Sequence, residues 1–135
     1  MKKPIIFIQP AHPYRHDLFV CAGANLKQFQ KFLRDNVKGL GNKSAKKLIK
    51  DIGTQDEIFE KVLDGKQLGY ALNYDRWLVL ILPLPKDNWT YYESLLHELS
   101  HILDWIVEMK MLEGEGEARA YLHEWLFREI RRKLL

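Results

Sequence analysis

An α+β fold with a small mixed or antiparallel sheet follows from three features of this 135-residue chain. Two short β-branched or aromatic runs stand near the start, a second pair flanks Asn73-Tyr74-Asp75, and helical periodicity fills most of the rest. Residues 4–8 and 17–21, separated by a loop of Pro and His, read as two strands in or near a hairpin. From Ala24 to Val37 apolar side chains recur at Leu26, Phe29, Phe32 and Leu33, which predicts a helix capped at Asn25 and stopped by Gly39 and Gly41. Ser44–Ile52 and Gln55–Leu63 follow as shorter helices, punctuated by Gly53 and Gly65. Residues 67–72 and 76–82 form the second hairpin, its second arm apolar enough to be a buried strand. Pro83 and Pro85 end that arm, and Thr90 with Glu93 three residues on is a capping-box signature for a helix to about Met109. A last helix fills Glu115–Leu134, where Arg128, Arg131, Arg132 and Lys133 suit the negative end of the helix dipole. The chain is expected to be a single domain, with strands and helices in 1–66 and the hairpin and last two helices in 67–135.

Composition narrows the function classes. Hydrophobic residues make up 47% and charged residues 29%, a balance that excludes disorder and a fibrous chain. A net charge of +3 does not by itself announce a nucleic-acid binder, so the location of the charges matters more than their sum. Cys21 is the only cysteine, which excludes an intrachain disulfide and a four-thiolate zinc site and leaves His and carboxylates for any metal. The apolar stretch Ile5–Ile8 is shorter than a signal-peptide core. The longest apolar run, 77–84, is far below the roughly 20 residues of a membrane span. A cytoplasmic protein without a transmembrane helix is therefore expected.

His97-Glu98-Leu99-Ser100-His101 is an H-E-x-x-H pattern inside a predicted helix. Two His at i and i+4 lie about 40° apart on a helix, so both imidazoles can reach one Zn²⁺ while Glu98 stands beside them to hold a water. The wheel gives a second test. Leu95, Leu99, Ile102, Leu103 and Ile106 cluster on one face, and His97, His101 and Asp104 fall on the other. Catalytic zinc commonly takes three protein ligands, and Val107 stands where a metzincin would place its third. Candidates lie instead in Glu113, Glu115 and Glu117, with Glu124 and His123 further on.

Here the chain resembles the Glu-zincins, in particular small phage and prophage zincins and immunity-repressor peptidases. Their second zinc helix carries the ligand in a Glu-Ala-x-x-Ala-like segment. Glu117-Ala118-Arg119-Ala120-Tyr121 is similar, with the second Ala one residue early, and the resemblance covers residues 76–127 at most. It implies a minimal zincin-like domain with a zinc helix and a C-terminal ligand helix, Zn²⁺ held by His97, His101 and Glu117, and peptide hydrolysis with Glu98 as general base. It also implies that the strand at 76–82 is an edge strand able to pair with extended substrate. His101-Ile102-Leu103-Asp104 resembles the His-x-x-Asp of lethal-factor-like members, which suggests Asp104 as a carboxylate orienting a His ring. Tyr121, one turn after Glu117, is the candidate oxyanion donor. Geometry leaves the third ligand open. If the zinc helix ran to Met109 and the next returned antiparallel, Glu117 would lie about 10 Å short, so the helix ends near Ile106, the second crosses steeply, or Glu124 is the ligand.

Residues 37–49 resemble a helix-hairpin-helix element, which implies DNA contact through Gly39, Gly41, Lys43 and Lys46. A zinc metallopeptidase is the leading reading. A DNA-associated protease and a non-catalytic zincin-fold binding module are the alternatives.

Overall fold

Alternation along the strands decides how the chain is layered. In β2 (His16–Ala22) and β4 (Trp77–Leu82) successive side chains point to opposite sides of the sheet, and both sides are apolar, so each strand needs a cover on both faces. The computed structural model describes residues 3–11, 16–36, 42–74, 77–109 and 116–135, without the side chains of 16, 42–45, 109, 116 and 117. Those covers are helices. Leu18, Val20, Leu78, Leu80 and Leu82 meet α4 (Trp89–Met109) and α5 (Gly116–Leu134). Phe19, Cys21, Trp77, Val79 and Ile81 meet α1 (Leu26–Asn36), α2 (Asn42–Ile52) and α3 (Asp56–Leu63).

The sheet is mixed, in the order β1-β2-β4-β3, with β1 at Ile5–Ala11 and β3 at Tyr70–Tyr74. β1 runs antiparallel to β2, β2 parallel to β4 with Phe19 opposite Val79, and β3 antiparallel to β4 with Leu72 opposite Val79. Both expected strand pairs form, the second with its first arm at Tyr70–Tyr74 rather than 67–72, so that Asn73 and Tyr74 pair with Leu78 and Trp77 instead of turning, and β4 is an interior strand. Its six residues are all buried between β2 and β3, and the edge next to α4 belongs to β3. The expectation that 76–82 is the edge strand is thus corrected, for a reason of topology: the parallel partner β2 comes from far away in sequence.

Local chemistry explains three element ends that bear on the site's frame. Asn25 caps α1 reciprocally: Gln28 N donates to Asn25 Oδ1 at 2.9 Å and Asn25 N to Gln28 Oε1 at 2.8 Å. At α4 the cap is Asn88, whose Oδ1 accepts from Tyr91 N at 2.9 Å, rather than the expected Thr90, which lies inside the helix and accepts from Ser94 Oγ at its carbonyl. β2 ends at Gly23, whose φ of +73° and N–H bond to Leu82 O at 2.8 Å turn the chain beneath Leu84. A Cβ there would sit 2.4 Å from Leu84 Cδ2.

Cys21 is fully buried in the α1–α3 face of the sheet, and burial pushes its thiol from the ordinary 9.0 up to about 12. The unfolded chain ionises first as pH rises, so the stabilisation from the neutral thiol is complete below about 9 and is lost through about 12. Denaturation measured across this range is expected to show a decline that Cys21→Ala lessens. An identical decline in the variant would contradict the buried placement.

Candidate metal centre

The apolar stripe of α4 orients everything else on that helix. Leu95, Leu99, Ile102, Leu103 and Ile106 are fully buried against the sheet and α5. The helical repeat then puts His97 and His101 on the outer face, where both are exposed. Their ring centroids are 5.0 Å apart with the ring planes at 87°. The His101 ring stacks on half-buried Trp105, with centroids 6.3 Å apart, which limits its rotation.

Glu98 occupies the flank between this face and the sheet. Its side chain is only 13% exposed, against 70% for His97, and Oε1 lies 4.0 Å from His97 Nε2. Burial raises the Glu98 carboxyl above the usual range, and His97 and His101 pull it back down. The burial comes from the loop entering β3. Gly69 lies against the Glu98 stem so closely that a Cβ on it would be 3.1 Å from Glu98 Cγ. Lys66, Gln67, Leu68 and Gly69 form one wall, and Glu93, Ser94, His97 and Glu98 the other, of an open cleft of about 550 Å³. Such a volume accommodates a peptide side chain and backbone. This wall is not among the expected site residues: the pattern predicts a strand from 67, but residues 66–69 form the loop before β3, and a loop gives no sequence signal of what it touches.

On the opposite flank of α4 runs α5, antiparallel to it. Arg119 Nη2 donates to Ser100 O at 3.3 Å, to Ser100 Oγ at 3.1 Å and to Asp104 Oδ1 at 2.7 Å, and His123 Nε2 donates to Leu96 O at 3.2 Å. Asp104 therefore faces Arg119, an anchor that the sequence reading missed although Ser100 and Asp104 stand one turn apart on α4. The first helix does run to Met109, yet α5 is set further along it than a simple return would place it. Counting at 1.5 Å per residue, Glu117 lies about 9 Å before His123 and His101 about 7.5 Å beyond Leu96, so the backbone of Glu117 comes level with His101. The 10 Å shortfall disappears. The Glu117 side chain is outside the described residues, as are Glu113 and Glu115 altogether. Tyr121, 68% exposed, and exposed Glu124 share one helical face with position 117, away from the Arg119–His123 side of α5, so level along the axis and not the face separates the two Glu, and His123 is engaged with Leu96. Among the described residues no three His, Cys, Asp or Glu side chains gather closely enough to hold a metal ion.

The described residues thus fit two of the three protein ligands of a zinc site, as imidazoles on consecutive turns with a carboxylate beside them. Of the expected DNA contacts, Gly39, Gly41 and the Lys43 side chain lie outside the described residues, and Lys46 is exposed on α2. Among the described residues no helix is long and apolar enough to cross a membrane. In comparisons with known proteins, no family model, no curated protein and no solved structure matches the chain.

The close approach at Gly69 sets a test of the cleft. Gly69→Val should cost about 1–3 kcal/mol of stability in urea denaturation, the usual weight of overpacking, and Gly69→Ala less. A valine variant as stable as the parent would mean that Glu98 is not held against this loop.

Proposed function

We propose that the chain is a zinc-dependent metallopeptidase acting on extended peptide. The observation that supports this best is the outward pair His97 and His101 with half-buried Glu98 beside them. His97 and His101 would hold the metal, with Glu117 from the first turn of α5 as third ligand. Zinc in such a site supplies Lewis acidity, which acidifies water and polarises a carbonyl. Glu98 is the chain's own base. It takes a proton from the attacking water as the oxygen adds to the carbonyl carbon, and returns it to the amine nitrogen when the C–N bond breaks. Its placement favours that role, since the loop at Gly69 holds the carboxylate 4.0 Å from His97 Nε2, beside the atoms that would carry the metal. Substrate backbone would add to β3, the edge strand whose entry loop walls the cleft. Tyr121 would contribute to oxyanion stabilisation only if its exposed ring swings toward the carbonyl. The lone buried thiol needs no oxidising compartment, in keeping with a cytoplasmic peptidase.

The purified protein is expected to bind about one zinc per chain, measured by metal analysis after dialysis, and the His97→Ala/His101→Ala variant none. Stoichiometric zinc on that variant would place the metal elsewhere. Glu98→Gln should keep zinc and fold but lose at least about 10²-fold in peptide hydrolysis. Zinc binding with no hydrolysis by the parent chain would favour the non-catalytic module. Glu117→Ala should weaken zinc binding strongly, and Glu124→Ala should leave it unchanged; the reverse result would exchange their roles.

A further inference from the structure

The face of the sheet remote from the His pair carries a charge pattern that the peptidase reading does not use. Residues 26–52 hold eight Lys and Arg against two Asp, a net charge of +6 in a chain whose total is +3. The cations are also ordered. Lys27, Lys31 and Arg34 recur at four and three residues along α1, and Lys46, Lys47 and Lys50 at one and three along α2, so each set forms one exposed stripe. On α2 the stripe lies opposite buried Leu48 and Ile52, and on α1 it flanks buried Leu26, Phe29 and Leu33. The two helices pack together, with Gln30 Nε2 donating to Ile49 O at 3.4 Å, so the stripes lie on adjoining helices. Of these six cations only Lys31 has a carboxylate at ion-pair distance among the described residues, Asp35 at 3.7 Å, and that pair is solvent-exposed and weak.

We infer that the α1–α2 face binds the phosphate backbone of double-stranded DNA without reading sequence. Charge complementarity selects a polyanion: six cations on two packed helices, the α1 stripe about 10 Å long, meet a duplex with one phosphate charge per about 1.7 Å of axis. An anionic membrane fits less well. Interfacial helices insert apolar side chains between their cations, and among the described residues the exposed large hydrophobics, such as Leu68 and Trp89, lie outside α1 and α2. Single strands and unpaired RNA fit less well too, because they are held by stacking on exposed aromatic rings, whereas Phe29 is buried and Phe32 packs against the same core. Because α1 and α2 cover one side of the sheet and α4 the other, a bound duplex leaves the cleft at Glu98 open.

The experiment is fluorescence anisotropy with a short mixed-sequence DNA duplex, with and without a metal chelator, on the full chain. Four phosphate contacts predict that affinity falls by about 10²-fold between about 50 and 200 mM salt. Lys46→Glu/Lys47→Glu, on exposed positions that leave the fold intact by circular dichroism, should lower affinity at least about 10-fold and the salt slope by about 2. Arg128→Glu/Arg131→Glu, on α5 across the sheet, should bind like the parent, and the chelator should change nothing. The inference is overturned by no duplex binding at low salt, by tighter binding of single strands or of phosphatidylserine vesicles, by an unaffected α2 variant, or by loss in the α5 variant. None of these outcomes bears on zinc binding at His97 and His101.

Discussion

Strand β4 has no face that water can reach. Trp77, Val79 and Ile81 press on α1–α3 while Leu78, Leu80 and Leu82 press on α4 and α5, and β2 and β3 take its backbone on either side. Burying such side chains is worth about 1.5–3 kcal/mol each, enough to decide which face of α4 turns inward. Once Leu95, Leu99, Ile102, Leu103 and Ile106 are committed to that contact, His97 and His101 can only face outward and Glu98 can only lie along the flank. The candidate site is a by-product of the core: its polar residues occupy the positions that packing left over.

What packing does not decide, the two flanks of α4 do. On one side Gly69 lets the loop into β3 close on Glu98, and a side chain in its place would push against the carboxylate's own stem. On the other, Arg119 and His123 set the axial position of α5 by bonds to Ser100, Asp104 and Leu96. These are polar contacts at half-exposed positions, so their contribution to stability is modest. Their contribution to register is larger, because a shift of α5 by one turn, about 5.4 Å, would carry the backbone of Glu117 out of level with His101.

Much of this was readable from residue spacing. The wheel of α4 separates its apolar stripe from the His pair because a 3.6-residue period is a local property, and the six-residue apolar run of β4 announces a strand covered on both faces. Strand order is not local. Nothing in residues 77–82 tells that β2, more than fifty residues earlier, pairs parallel to them, so the edge that the zincin resemblance implies for 76–82 falls to β3 instead. The cap of α4 went astray because Asn88 and Thr90 both offer a side-chain oxygen near the same turn, and the distance to Tyr91 N decides between them. Loop residues such as Gly69, and Arg119 reaching across to another helix, have partners distant in sequence and no period to reveal them.

X-ray absorption at the zinc edge of the zinc-loaded protein would show whether the outer face of α4 presents two imidazoles to one metal ion. Two imidazole nitrogens are expected at about 2.0–2.1 Å with oxygen completing the shell at about 2.0–2.2 Å, the oxygen contribution altered in Glu117→Ala. A shell containing fewer than two imidazoles, or one unchanged when His97 and His101 are replaced, would contradict this arrangement.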